Sequence, residues 1–179
     1  MTRVLRAIAA AGVLALGGIL AWHLTHQPKS VLHAVASHRI VAAPNFRLPL
    51  LMQPGTLSLR SLRGKAVVVN FWQSDCEPCK QETRRLVAFS KREAARDVVV
   101  VGIDVEEFTK GPPRAFARRY GIPYPLVYDQ TGTTVDPWGV GEGTPQTFFV
   151  DRRGRIVGHV LGPVSDAALT AGARRALST

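Results

Sequence analysis

The chain is predicted to be α/β, with a central mixed β-sheet flanked by helices, on three observations. Continuous apolar runs at Ala66–Phe71 and Val98–Asp104 have the length and β-branched content of strands buried on both faces. Helical patterns separate the strands, so the two element types alternate. The C-terminal part then changes to two strands around Asp151-Arg152-Arg153-Gly154 and a last helix, which adds antiparallel pairing to a parallel sheet.

Each element has a local reason. Arg3 and Arg6 precede an uncharged run from Ala7 to Trp22, which reads as a signal anchor or transmembrane helix over residues 1–25. The arginines predict a cytoplasmic N-terminus and an exported domain. Ala34-Val35-Ala36 resembles a cleavage site, so a cleaved signal is the alternative, although the triplet lies far past the apolar run. Residues 26–40 read as a linker, and 41–179 as the folded domain. Phe46–Leu50 and Thr56–Leu59 form a β-hairpin extension around Gln53-Pro54-Gly55. After the strand at Ala66–Phe71, a helix runs to about Arg96, and Asp97 interrupts the pattern before the second buried strand. Pro113 opens a helix that Gly121 closes. Leu126–Tyr128 is a short strand and Thr133–Trp138 a short helix; Thr147–Val150 and Arg155–Leu161 make the hairpin. Ser165 caps a final helix reaching Leu177.

The two cysteines of the chain stand together, in Cys76-Glu77-Pro78-Cys79, at the junction of a strand and a helix. That junction puts the first sulfur at a helix N-terminus, where unpaired N–H groups and the macrodipole favour a thiolate. Pro78 suits the first turn, and the second sulfur lies one turn on, within reach of a small disulfide ring. A structural zinc site needs four ligands, but the chain has no third cysteine, and His159 is its only histidine beyond His38. His23, His26, His33 and His38 read as solvated tether residues. A CxxC loop is too short to restrict the unfolded chain much as a structural staple. Dithiol–disulfide redox chemistry is the reading that remains, with no metal and no cofactor beyond the redox-active Cys76–Cys79 pair.

The formal charge is +10, with basic side chains scattered along Arg84-Arg85, Arg118-Arg119, Arg152-Arg153-Arg155 and Arg174-Arg175. The export signal argues against nucleic acid as a partner and for a basic surface facing anionic headgroups.

Three further segments carry a family resemblance over nearly all of residues 41–175. They are Pro44-Asn45-Phe46-Arg47-Leu48, Gly64-Lys65-Ala66-Val67-Val68-Val69-Asn70-Phe71-Trp72 and Gly143-Thr144-Pro145-Gln146-Thr147-Phe148-Phe149-Val150-Asp151. With the CxxC, they resemble the thioredoxin superfamily in its membrane-anchored TlpA/ResA/CcmG (DsbE-like) branch. The resemblance implies a thioredoxin-like fold and an extracytoplasmic thiol–disulfide oxidoreductase, a single-pass protein of the cell membrane. Cys76 would be the attacking thiolate, Cys79 the buried resolving thiol and Pro145 the cis-proline. Thr144 would offer a backbone edge to clients, with Trp72 and Glu77 also on the substrate side. Glu107 falls near a carboxylate that this branch keeps by the CxxC, and Glu106 is the alternative. Implied partners are cysteine-bearing clients, apocytochrome c among them, and a membrane electron donor or acceptor thiol protein. A copper module using Cys76, Cys79 and His159 is the rival; copper-delivering relatives usually space their cysteines one residue wider. A thiol peroxidase is a third reading, and Gln73-Ser74-Asp75 lacks the threonine-containing pattern expected there.

The chain departs from the family at Asp75, where relatives usually carry tryptophan. Asp75 and Glu77 flank Cys76 with negative charge. At ~6 Å each would cost the thiolate roughly 0.7 kcal/mol in water and about 2.8 at an effective dielectric near 20. A less stabilised thiolate makes the disulfide harder to reduce, so a reductase or mild exchanger is expected. Lys80 offsets part of the charge.

Overall fold

The computed structural model describes residues 12, 14–22 and 40–179. The expected anchor and linker fall largely outside them; residues 14–22 are helical and exposed. Among the described residues, no helix is long and apolar enough to cross a membrane.

The domain is a six-stranded mixed sheet in the order β1-β8-β7-β4-β5-β6. Its strands are β1 (Val41–Ala42), β4 (Ala66–Trp72), β5 (Val98–Val105), β6 (Leu126–Asp129), β7 (Gln146–Val150) and β8 (Arg155–Leu161). β4, β5 and β6 run parallel, and β7 returns antiparallel against β4. Every residue of β4 is buried, Asn70 included, as expected of a central strand covered on both faces. The hairpin of β2 (Arg47–Pro49) and β3 (Thr56–Ser58) is a separate two-stranded sheet.

Helix α1 (Glu77–Glu93) joins β4 to β5, and α2 (Gly111–Tyr120) joins β5 to β6. Both crossovers progress the same way across the sheet, so the right-handed rule puts both helices on one face. Core contacts agree: Leu86 and Phe89 of α1 share a cluster with Phe116 and Ala117 of α2. Leu169, Ala173 and Ala176 of α4 (Asp166–Ser178) complete that cluster. The opposite face is covered by Phe46 and Leu48 from the hairpin, with Leu59, and by Trp138 of the one-turn α3 (Val135–Trp138).

The expected elements are present with shifted ends. Helix α1 stops at Glu93, short of Arg96, because the chain tightens into a turn and Asp97 takes a left-handed φ of 56° to feed β5. Helix α2 starts at Gly111, so Pro112 and Pro113 both occupy its first turn, where a missing N–H is harmless. Gly121 ends it at φ 57°, and Ser165 Oγ accepts the Ala168 N–H at 3.2 Å to start α4. The two-residue β1, paired with β8, was not expected; so short an edge strand has no periodicity to read.

Candidate active site

β4 delivers the chain to the CxxC and α1 carries it away. Cys76 is the N-cap of α1, with extended φ/ψ, and its Sγ accepts the Cys79 N–H at 3.2 Å. That orphan donor of the first turn therefore points at the sulfur, and it would stabilise negative charge there after reduction. The two sulfurs are joined as a disulfide, with Cα atoms 5.2 Å apart. Cys79 is fully buried, whereas Cys76 is partly exposed. The pair thus has one sulfur that a client can reach and one that it cannot.

The segment before β7 closes the other side. The Thr144–Pro145 peptide is cis. Thr144 O lies 3.5 Å from Cys76 Sγ, a simple contact in the disulfide and an acceptor for the S–H of the reduced thiol. Thr144 Oγ1 donates to Gln73 Oε1 at 3.0 Å, tying this segment to the turn that precedes the cysteines. Gln146 Nε2 donates to the Val140 and Gly143 carbonyls and fixes the same loop from beneath.

The expected carboxylates separate by environment. Glu107 is half-buried and accepts both the backbone N–H and the hydroxyl of Ser74, two residues before Cys76. Glu106 is exposed, with φ 58°, and Asp75 is exposed as well. Glu77 is exposed and pairs with Lys80 at 2.9 Å, a surface pair of little energetic weight that still neutralises local charge. Trp72 must be corrected: it is 3% exposed and packs on Phe116 at 4.7 Å between ring centroids, so it presents no surface to a client. Gly102 makes room for its indole on the neighbouring strand, since a Cβ there would lie 3.0 Å from Nε1. His159 Nε2 donates to Gln146 Oε1, 2.9 Å away, and the ring packs on Phe148 at 4.3 Å. Among the described residues, no three His, Cys, Asp or Glu side chains converge to hold a metal.

Two buried acids escaped the sequence reading. Glu82 lies one turn beyond Cys79 on α1 and is fully buried. Its oxygens accept Asn70 Nδ2 and the Val164 N–H, each at 2.7 Å. Burial outweighs those bonds and raises its pKa from 4.5 to about 7. Asp104, in β5, is also fully buried, and its carboxyl group lies against that of Glu107, with which it shares a hydrogen bond when protonated. Burial first, then the charge of nearby Glu107, raises its pKa to about 9, so it is a neutral acid at pH 7. A signal for Asp104 was present: it is a polar residue inside an otherwise apolar strand, and buried polar groups need a partner or a proton.

Residues 41–159 match the AhpC/TSA family. The chain belongs to that thioredoxin-like family. It is similar to the thiol:disulfide interchange protein DsbE of Allochromatium vinosum, at 33% identity over 162 residues covering 89% of this chain and 85% of that protein. Similarity to the thiol-disulfide oxidoreductase ResA of Bacillus subtilis is 32% over 127 residues, 71% of this chain and 69% of that one. A crystal structure of a thioredoxin-family thiol:disulfide interchange protein from Chlorobium tepidum superposes with a TM-score of 0.68 at 30% identity, covering 77% of this chain and 97% of that one. With its paired Cys76 and Cys79, the chain is a thiol–disulfide oxidoreductase of the ResA/DsbE type.

Proposed function

We propose that the protein reduces, or mildly exchanges, disulfides of exported client proteins at the outer face of the cytoplasmic membrane, held there by its N-terminal segment. The observation that carries this is the unequal burial of the two sulfurs. Cys76 thiolate attacks a client disulfide, one client sulfur leaves, and a mixed disulfide forms. Cys79 then attacks the Cys76 sulfur, the client departs as a dithiol, and the Cys76–Cys79 bond closes. Glu82, on the same face of α1 and titrating near neutrality, is placed to take the Cys79 proton in that second step. A thiol protein of the membrane supplies the two electrons and two protons that reopen the disulfide. Apocytochrome c, whose haem-binding cysteines must be reduced, is the client class that the family suggests. Replacing Cys79 with Ser should stall the cycle at the mixed disulfide and let clients be recovered with Cys76. Equilibration against glutathione sets the direction: a potential near −120 mV, that of a strong oxidant, would refute the reductase reading.

A further inference from the structure

A groove of about 410 Å³ opens along the turn that leads to Cys76. Gln73, Ser74 and Asp75, the three residues leading to Cys76, form one wall; Glu106, Glu107 and Phe108 form the other. Its charge is opposite to that of the molecule. In a chain of net charge +10, three carboxylate residues line it, Asp75, Glu106 and Glu107, and none of them has an ion-pair partner among the described residues. The nearest lysine in sequence, Lys110, sits over the Tyr128 ring at 5.2 Å and forms no ion pair with these acids. Behind the Glu107 wall lies Asp104, fully buried and protonated at pH 7, hydrogen-bonded to Glu107 and not part of the lining. At the rim, Phe108 is 90% exposed, a large apolar side chain left in water beside a redox centre. We propose that this groove takes a lysine or arginine side chain flanking the reactive cysteine of the client, its alkyl stem against Phe108 and its charge toward Asp75, Glu106 and Glu107. This rests on the exchange reading above and narrows it to clients with a basic neighbour to the cysteine.

The chemistry favours that occupant twice. A cation in the groove is attracted by unpaired carboxylates, which steers encounter and responds to salt. It also offsets the negative charge beside Cys76, the charge that works against thiolate formation, so a basic client would activate the nucleophile as it docks. Arg and Lys have long apolar stems that suit an aromatic rim, with cation–π attraction added for Arg.

The test uses the full chain, reduced with dithiothreitol and desalted, in single turnovers with two disulfide peptides that differ only in Arg or Glu beside the cysteine. Oxidised glutathione is the reference for exchange without a groove contact. Each turnover closes the Cys76–Cys79 bond and delivers two electrons and two protons to the peptide disulfide. The Arg peptide should react up to about fivefold faster than the Glu peptide at low salt, since an exposed ion pair is worth at most about that factor. The ratio should shrink toward one at about 0.5 M salt, and with Glu106→Gln or Asp75→Asn at low salt. A ratio near one in the unaltered protein, or one that survives both substitutions, overturns the proposal. If no disulfide reacts, glutathione included, the exchange reading fails and the groove assignment falls with it.

Discussion

Glu82 gives the most direct test of the electrostatics under the dithiol. Its pKa rises from 4.5 to about 7 because burial outweighs the bonds from Asn70 and Val164. At 1.36 kcal/mol per unit, that shift is worth about 3 kcal/mol. The sign follows from proton counts. Below pH 4.5 the carboxyl is protonated folded and unfolded, and it adds no pH dependence. Between 4.5 and about 7 the folded state keeps a proton that the unfolded state loses, so stability falls as pH rises, and above 7 the loss is complete. Glu82→Gln removes that slope. It also leaves one of the two donors, Asn70 Nδ2 or the Val164 N–H, without an acceptor, a pH-independent cost of about 1–3 kcal/mol. The variant should therefore be the less stable protein at pH 4 and should close the gap by about 3 kcal/mol by pH 8. Urea unfolding of the oxidised protein across that range measures it, with the disulfide intact so that neither cysteine titrates. Parallel stability curves for the two proteins would refute the assignment. Glu82 would then ionise as it does in water, and its place as proton acceptor for Cys79 would be lost.

Asp104→Asn should remove a larger destabilisation that grows between about pH 4 and 9, so its stability gain over the unaltered protein should be greatest at alkaline pH in the same urea series. Asp75 is exposed, so Asp75→Asn should lower the Cys76 pKa by only about half a unit and raise the potential by roughly 15 mV, read by thiolate absorbance and glutathione equilibration. A change of two units would mean that the charge acts through a low dielectric. A reporter fused after Thr179 should be active only when exported; activity in the cytoplasm would overturn the expected orientation.

The fold was largely legible because its central strands are unambiguous. Val67, Val68 and Val69, like Val98 to Val101, allow no reading but a strand buried on both faces, and the turn residues between elements are strong punctuation. The dithiol was legible for the same reason: a CxxC after such a strand has one natural position. The acids were harder. Glu107 and Glu106 are adjacent in sequence, and only the turn at φ 58° on Glu106 decides which of them reaches back to Ser74. Glu82 looked like one charge among many on an amphipathic helix. Its burial depends on the Val164 N–H, 82 residues away, which no local pattern reveals. Trp72 was misread because an indole at the end of a strand can point to either side of the sheet. The absent side chain at Gly102 settles which, by making room on the helical face.

These placements relocate the tuning of the redox pair. Asp75 is the visible departure from the family pattern, but water screens it, and Glu77 shares its charge with Lys80. A charge shielded in this way acts weakly on Cys76 but still faces whatever approaches from solvent, where it adds a modest, salt-dependent attraction to a cation. Glu82 has the opposite character. It is out of water, on the same helix face as Cys79, and its carboxyl changes charge within about a unit of neutrality. If Glu82 takes the Cys79 proton as proposed, it does so at a site where the effective dielectric is low and charge changes count most. Division of labour follows from depth. On the two proposals above, the surface acids would select which disulfide arrives, and the buried acid would govern how readily the second sulfur completes the exchange.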